Sequence, residues 1–435
     1  MKKIFIKTLG CEKNTVDSEC AAGILKENGC RVVEDPKNAD FLMINTCGFI
    51  NDAKVQSIES IFELVNEKTE NQKIIVSGCL SKRYSAELSK EIPEVDYFLG
   101  VNDYDKLPDI ISGKANRVNC SEAEKSFTEL PRITKKGSVS ASIKIAEGCN
   151  NICSYCIIPY IRGRYRSRKP DDIIKEAKLL ADCGVKELVV IAQDTTFYGK
   201  DFKKKDMLCD LLHELCKIEG LKWIRLMYCY EDEITPKLIE TIKNEDKIVK
   251  YIDIPIQHCS NKILKAMNRK STHESIVKTV KLLRKQIPDI VIRTTLITGF
   301  PGETKDDFKE LYNFVSDMKF DRLGVFPYSK EEGTKAALMK PQVRSDVKQR
   351  RCDKIMQLQR QISLENNQKY IGQILDVLVE EDLNDGSYSG RSAYDAEGID
   401  NGVLIFTDKK LKIGQFVKVL IDDAFDYDLS GKVVK

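Results

Sequence analysis

Three cysteines in the pattern C-x3-C-x2-C constrain this chain more than any other feature. They are Cys149, Cys153 and Cys156, within EGCNNICSYCIIP. A four-iron, four-sulfur cluster held by three thiolates keeps one iron without a protein ligand, open to a substrate or cofactor. Tyr155 directly precedes the third cysteine, where it can pack beside a bound cofactor. A structural zinc site is the alternative, but no histidine or fourth cysteine completes a zinc pattern nearby.

The 435 residues suffice for two or three domains. No apolar run is long enough to cross a bilayer. The start MKKIFIKTLGC turns polar too early for a signal peptide, so it reads as a first strand and the protein as cytoplasmic. Fifteen cysteines are too dispersed for a disulfide scaffold in a chain this long, which favours a reducing compartment and metal ligation. Cys183, Cys209, Cys216 and Cys352 fall in helix-like stretches, where buried free thiols are expected.

The element pattern predicts an α/β fold in three parts. Residues 1–118 alternate strand-like runs (KKIFIKTL, DFLMINTC, KIIVSGC) with amphipathic helices, the pattern of an open α/β domain. Each run ends in a predicted loop bearing a cysteine: Cys11, Cys47 and Cys79. Ligands collect beyond the carboxyl ends of strands in such sheets, so these three cysteines are expected to converge on a second cluster. Residues 119–137 are polar, with Pro131 and Gly137, and read as a linker. Residues 138–370 repeat strand and helix and read as a partial β/α barrel with its site at the strand C-termini, followed by a helix from about Gln342 to Lys369. Residues 371–435 change to short strands, with Gly386, Gly390, Gly398, Gly402 and Gly414 near turns, and predict a small β-barrel.

The spacing and context of the central cysteines resemble the radical S-adenosylmethionine (SAM) enzymes. The resemblance implies that the open iron binds SAM and that reductive cleavage yields a 5′-deoxyadenosyl radical. Residues at barrel strand ends are the candidates for holding SAM: Gln193 and Asp194 in VVIAQD, Asp253 and Gln257 in DIPIQ, and Arg293 and Thr295 in IRTTLITGF. Each can equally be a polar residue of the barrel interior. GFPGET (299–304) predicts a tight turn into a helix starting near Thr304, and lacks the spacing of a phosphate loop. The run IRGRYRSRKP places Arg162, Arg164, Arg166, Arg168 and Lys169 beside the cysteine loop. They read as a solvated basic surface, as arginines that brace the cysteine loop, or as contacts to a large anionic substrate or the cofactor carboxylate.

The whole chain resembles the radical SAM methylthiotransferases: an N-terminal domain with three separated cysteines, a radical SAM domain and a C-terminal TRAM domain. The resemblance implies two 4Fe-4S clusters, with Cys11, Cys47 and Cys79 as auxiliary ligands and Cys149, Cys153 and Cys156 as radical SAM ligands. It also implies two SAM molecules per turnover, one giving a methyl group to sulfur and one activating a C–H bond. One branch of the family modifies an adenosine in tRNA. The other modifies the β-carbon of an aspartate in the twelfth small-subunit ribosomal protein. GCEKNTVDSE, NTCGFINDAKVQSIES and AQDTTFYG resemble the second branch, whereas the tRNA branch commonly reads GCQMN or GCKVN, NTCxIRE and GQNVNxY. Tyr160 is closer to the tRNA enzymes.

Charge points the same way. Residues 371–430 carry thirteen acidic and five basic residues, a formal −8, which suits a basic ribosomal protein better than a phosphate backbone. By analogy Lys13 pairs with the target carboxylate, and Asp194 joins it as a second catalytic candidate; a surface or cap role for Lys13 is the alternative. The resemblance further implies a flavodoxin or ferredoxin reductant, a sulfur donor, and a substrate met free or within the assembling subunit. No membrane association is expected, and a monomer is. A tRNA adenosine methylthiotransferase is the competing activity, and a non-enzymatic iron–sulfur or ribosome-binding protein is the competing class.

Overall fold

The computed structural model describes residues 1–121, 131–135 and 137–434. The first sheet contains β1 (Lys3–Thr8), β2 (Arg31–Val33), β3 (Phe41–Thr46), β4 (Lys73–Gly78), β5 (Tyr97–Leu99) and β6 (Val118–Asn119), in the spatial order 2-1-3-4-5-6 and all parallel. Every residue of β3 is buried, as befits a central strand covered on both faces. Met43 packs with Ile24 and Leu25 of helix α1 (Glu12–Glu27) on one face. Ile44 packs with Ile61 and Leu64 of α2 (Asn51–Glu67) on the other, alongside Leu80 of α3 (Cys79–Glu91). The strand order reverses at β1, and the carboxyl ends of adjacent strands near such a reversal are where an open sheet leaves room for a ligand.

After the short helix α4 (Leu107–Ile111) come β7 (Ser140–Lys144) and a two-residue hairpin, β8 (Ala146–Glu147) with β9 (Arg166–Ser167). The hairpin encloses the cysteine loop and helix α5 (Ile158–Arg162). The second sheet then adds β10 (Glu187–Ile191), β11 (Trp223–Leu226), β12 (Ile248–Asp253), β13 (Val291–Thr298) and β14 (Arg322–Pro327) in sequence order beside β7, without closing. This is the expected partial barrel. Helix Ser345–Asn367 follows. The chain ends in a closed five-stranded barrel of β15 (Ile374–Asp382), β16 (Ser387–Ser392), β17 (Val403–Phe406), β18 (Phe416–Ala424) and β19 (Leu429–Val433).

These elements form two compact units. One comprises Met1–Lys135, Lys144–Arg168 and Ser329–Ala337; the other comprises Lys136–Ile143, Lys169–Tyr328 and Leu338–Lys435. The cysteine loop and its β8–β9 hairpin therefore group with the N-terminal sheet rather than with β10 to β14. Most of the expected linker 119–137 lies outside the described residues. Its described part is fastened to α1: Ile133 N–H donates to Glu19 O at 3.1 Å and Arg132 Nε to the Glu19 carboxylate at 2.8 Å.

Three local expectations need correction. Cys79 is not in a loop but is the first residue of α3, because Gly78 turns β4 straight into the helix with φ +96°. Gly390 lies inside β16, where a Cβ would come within 2.5 Å of Leu378 O on the paired strand. Cys183 is exposed, since it caps the helix Pro170–Asp182 instead of lying within it. No helix among the described residues is long and apolar enough to cross a membrane.

Candidate active site

Cys11, Cys47 and Cys79 stand at the carboxyl ends of β1, β3 and β4, which are neighbours in the sheet. Close backbone approach brings them together. A Cβ on Gly10 would lie 2.9 Å from Cys47 Cβ, and one on Gly48 would lie 3.0 Å from the Cys79 carbonyl carbon. A Cβ on Gly78 would lie 2.3 Å from Asn45 Oδ1 and 2.4 Å from Thr46 O. Each of the three cysteines thus has a glycine beside it that lets two strand ends meet. Cys11 is the N-cap of α1 and Cys79 opens α3, so two of the thiols lie at helix N-termini. Ser57 of α2 clamps Cys47, donating to its carbonyl at 2.9 Å and accepting from its N–H at 3.1 Å.

Burial pushes the Cys79 thiol up to about 11 against the pull of Arg162, and burial also raises Cys47. Buried thiols of this kind ionise when a metal displaces the proton. The donor set therefore fits an iron–sulfur cluster: three convergent thiols, helix N-termini behind two of them, and glycines where bulk would intrude. Replacing Gly78 by alanine forces a Cβ against Asn45 and Thr46 at a φ that disfavours any side chain. The expected result is a protein that retains one cluster's worth of iron and loses the other, measured as iron and sulfide per chain. Full iron content in Gly78→Ala counts against this reading.

The second triad is held as tightly. Cys149 N–H donates to Gly163 O at 3.1 Å, Cys156 N–H to Cys153 O at 3.1 Å, and Asn151 N–H to Cys149 Sγ at 3.4 Å. Gly148, with φ +82°, passes so near Arg164 O that a Cβ would be 2.2 Å away. Cys149 and Cys153 are buried, whereas Cys156 and Tyr155 are half-buried. This donor set also fits a cluster with three protein ligands.

Four charged side chains join the two triads, and the sequence reading missed three of them. Arg162, 1% exposed, donates through Nη1 to both Glu147 carboxylate oxygens at 3.0 and 3.1 Å. Its Nη2 reaches Asn14 Oδ1 at 2.8 Å, Asp17 Oδ2 at 3.0 Å and Cys79 Sγ at 3.5 Å. Lys144 Nζ bonds Glu147 at 2.9 Å and also Asp17. Two cations and two anions balance, which makes burial of all four tolerable. Burial opposes ionisation of Glu147, but Arg162 and Lys144 overcome it and hold the carboxyl well below the usual range. Asn14 completes the join by donating to Leu9 O at 2.8 Å and Thr46 O at 3.2 Å, at the ends of β1 and β3. Of the expected basic surface, Arg162 and Arg168 are buried; Arg164 and Lys169 are exposed. Lys13, beside Cys11, is buried, and that burial lowers its pKa.

The strand ends of the second unit carry the remaining candidates. Arg293 and Asp253 are cross-strand partners in β13 and β12 and pair with each other at 2.9 Å. Arg293 also meets Asp400 at 3.3 Å. These two residues, expected at a cofactor carboxylate or ribose, are thus committed to an ion pair. Asp194 is buried and caps the turn Thr195–Phe197, accepting from Thr196 Oγ1 at 2.9 Å and Phe197 N–H at 3.1 Å. Gln257 bridges to β13: its N–H donates to Thr295 O and its carbonyl accepts from Ile297 N–H, both at 2.8 Å. Gln193 lies beyond the end of β10. Gln257 (φ +69°) and Tyr228 (φ +60°) hold left-handed backbone just beyond the ends of β12 and β11, conformations that cluster where ligands are gripped. Tyr228 had no sequence signal. Elsewhere, Cys259, His273 and Glu310 bring donor atoms within 4.8 Å of one another, with His273 Nδ1 3.5 Å from the Glu310 carboxylate beside a buried thiol.

Three family models match stretches of the chain. Residues 143–315 match the radical SAM superfamily, 3–100 the uncharacterised protein family UPF0004, and 371–434 the TRAM domain. A protein of Clostridioides difficile (strain 630) named ribosomal protein uS12 methylthiotransferase RimO is 51% identical, covering 100% of this chain and 99% of its own. The RimO of Thermoanaerobacter sp. (strain X514) is 50% identical, covering 99% and 100%. Among solved structures, the radical SAM methyltransferase TsrM of Kitasatospora setae superposes with a TM-score of 0.58 at 13% identity, covering 86% of this chain and 80% of that one. At that identity the likeness is one of fold.

Proposed function

The chain belongs to the family of ribosomal protein uS12 methylthiotransferases, RimO, and we propose that it adds a methylthio group to the β-carbon of one aspartate of uS12. It is a radical SAM enzyme, which requires SAM and an iron–sulfur cluster. The finer reading is two 4Fe-4S clusters, on Cys149, Cys153 and Cys156 and on Cys11, Cys47 and Cys79. When bound, the first supplies reductive SAM cleavage and the second a site for sulfur.

One observation carries this reading: both triads lie in a single compact unit and are joined by Arg162, which touches Cys79 and grips Glu147 at the entry to the second cysteine loop. The chain's own residues position groups and exclude water. Buried Asn14 and Asp17 hold the first triad's strand ends against the loop. Tyr155, Gln193, Gln257 and Thr295 are assigned to SAM. Asp194 is assigned to shaping the turn after Gln193, and Asp253 with Arg293 to bracing the strand ends. Lys13 is assigned to the target carboxylate, with its β-carbon turned to the radical. Lys13→Met is expected to keep both clusters and SAM cleavage while weakening uS12 binding and methylthiolation. Unaltered substrate affinity and turnover would remove Lys13 from this role. A flavodoxin or ferredoxin fits as reductant, an external donor as sulfur source, and a monomer as the working state.

The acidic barrel is assigned to the basic substrate. Asp422 and Asp423 are exposed on β18, and Asp426 is ion-paired to Arg360. Neutralising all three to asparagine is expected to weaken uS12 affinity by roughly three- to tenfold at low salt, with the difference fading as salt rises. Equal affinities at low salt would leave the acidity with solubility alone. The activity itself is tested with anaerobically reconstituted protein, SAM, reductant and sulfide, offered uS12 or unmodified tRNA. Mass spectrometry should find the methylthio group on an aspartate of uS12; a gain on tRNA adenosine instead overturns the substrate assignment.

A further inference from the structure

The contact between Arg162 and Cys79 has a consequence for redox chemistry. Resting on the reading of Cys79 as an auxiliary-cluster ligand, we propose that Arg162 is a positioning residue that donates an N–H to the Cys79 sulfur and raises that cluster's reduction potential. Three observations support it. First, the guanidinium is fixed: Glu147 takes Nη1 through both oxygens, while Asn14 and Asp17 take Nη2 at 2.8 and 3.0 Å, so the group cannot swing away. Second, the same Nη2 lies 3.5 Å from Cys79 Sγ, within hydrogen-bond reach for sulfur, so that one of its two N–H groups is shared between the sulfur and a side-chain oxygen. Third, Arg162 is 1% and Cys79 4% exposed, so water neither replaces the contact nor screens it.

A donor and a positive charge beside a ligand sulfur stabilise the more negative, reduced state of a cluster. Asp17 tempers the effect as a carboxylate on the same Nη2. The geometry therefore gives two substitutions opposite signs. Arg162→Lys keeps a cation for Glu147 and Asp17 but loses the fork that reaches sulfur. Asp17→Asn keeps the shape and removes the competing negative charge.

The experiment poises the reconstituted two-cluster enzyme at a series of potentials and follows both clusters by electron paramagnetic resonance. The radical SAM cluster is identified by its change on adding SAM. Arg162→Lys is expected to move the SAM-insensitive transition to more negative potential and leave the SAM-sensitive one in place. Asp17→Asn is expected to move the same transition to more positive potential. Two unmoved transitions, or two that shift together, overturn the proposal. Should Arg162→Lys fail to assemble, the sign from Asp17→Asn decides alone: a positive shift supports the proposal, and no shift or a negative one overturns it. Cys79→Ala separates this inference from the reading beneath it. Loss of the SAM-insensitive signal upholds the ligand assignment, and its survival defeats both.

Discussion

Replacing Cys153 by alanine is expected to abolish SAM cleavage, whereas replacing Cys79 by alanine is expected to spare SAM cleavage and abolish methylthiolation. The two triads lie on different backbone segments, so their losses should separate. Cys153 lies in a loop that has backbone hydrogen bonds of its own, Cys149 N–H to Gly163 O and Cys156 N–H to Cys153 O, besides the Arg162 contacts to Asn14, Asp17 and Cys79. A three-thiolate site stripped of one ligand has two left, too few to hold a cluster with an open iron. Cys79→Ala also leaves the Asn14, Asp17 and Glu147 contacts of Arg162 intact, so the loop is expected to keep its shape. The readouts are 5′-deoxyadenosine by chromatography and methylthiolated uS12 by mass spectrometry. Cys153→Ala should read at the level of a no-enzyme control in both. Cys79→Ala should keep at least a substantial part of the first and none of the second. Methylthiolation by Cys79→Ala would remove the auxiliary assignment, and deoxyadenosine from Cys153→Ala would remove the radical one.

What the sequence displayed and what it hid follow from the range over which each feature is encoded. The radical SAM triad spans eight residues, so its spacing is visible in one line of sequence. Cys11, Cys47 and Cys79 span much more, yet their placement at neighbouring strand ends was legible because each cysteine follows an apolar run and the topology of an open sheet gathers strand ends. That Cys79 begins a helix was not legible, since only the positive φ of Gly78 removes the loop. The buried quartet was hidden for another reason: Arg162 and Asp17 are 145 residues apart, and nothing local marks them as partners. The run of arginines read as a solvated surface or as a brace for the loop, and nothing local showed that Arg162 takes the second role. Asp253 and Arg293 were found as strand-end residues, but their mutual pairing depends on the register between β12 and β13. Opposite charges at equivalent strand ends are a signal that reading each strand separately overlooks.

The largest stability effect is expected at Glu187, away from all six cysteines. Its side chain is fully buried between Arg225 at 2.7 Å and Arg391 at 2.5 Å, and Arg391 extends the chain of charges to Glu380. Arg225 also donates to Ala393 O at 3.0 Å, so one carboxylate fastens the β10–β11 strands to the segment after β16. Glu187→Gln takes the paired carboxylate from buried Arg225 and leaves Arg391 with Glu380 alone, a change that costs about 3–5 kcal/mol. The thermal transition of the unit containing it should fall by on the order of 10 °C. Burial alone would raise the Glu187 pKa, but Arg225 and Arg391 outweigh it and pull the carboxyl from 4.5 down to about 2. With the folded value depressed, the unfolded chain binds the proton first as pH falls. The stabilisation is therefore complete above the unfolded value near 4.5 and drains away as pH drops through about 2. At 1.36 kcal/mol per pKa unit this term is about 3 kcal/mol, in line with the cost of removing the charge. The difference in denaturation free energy between wild type and Glu187→Gln should hold constant from pH 8 to about pH 5 and narrow below it. Taking the difference cancels acid effects on the clusters, whose cysteines lie in the other compact unit. A difference that stays constant down to pH 3, or is absent at neutral pH, would mean that Glu187 does not carry the charge this packing requires.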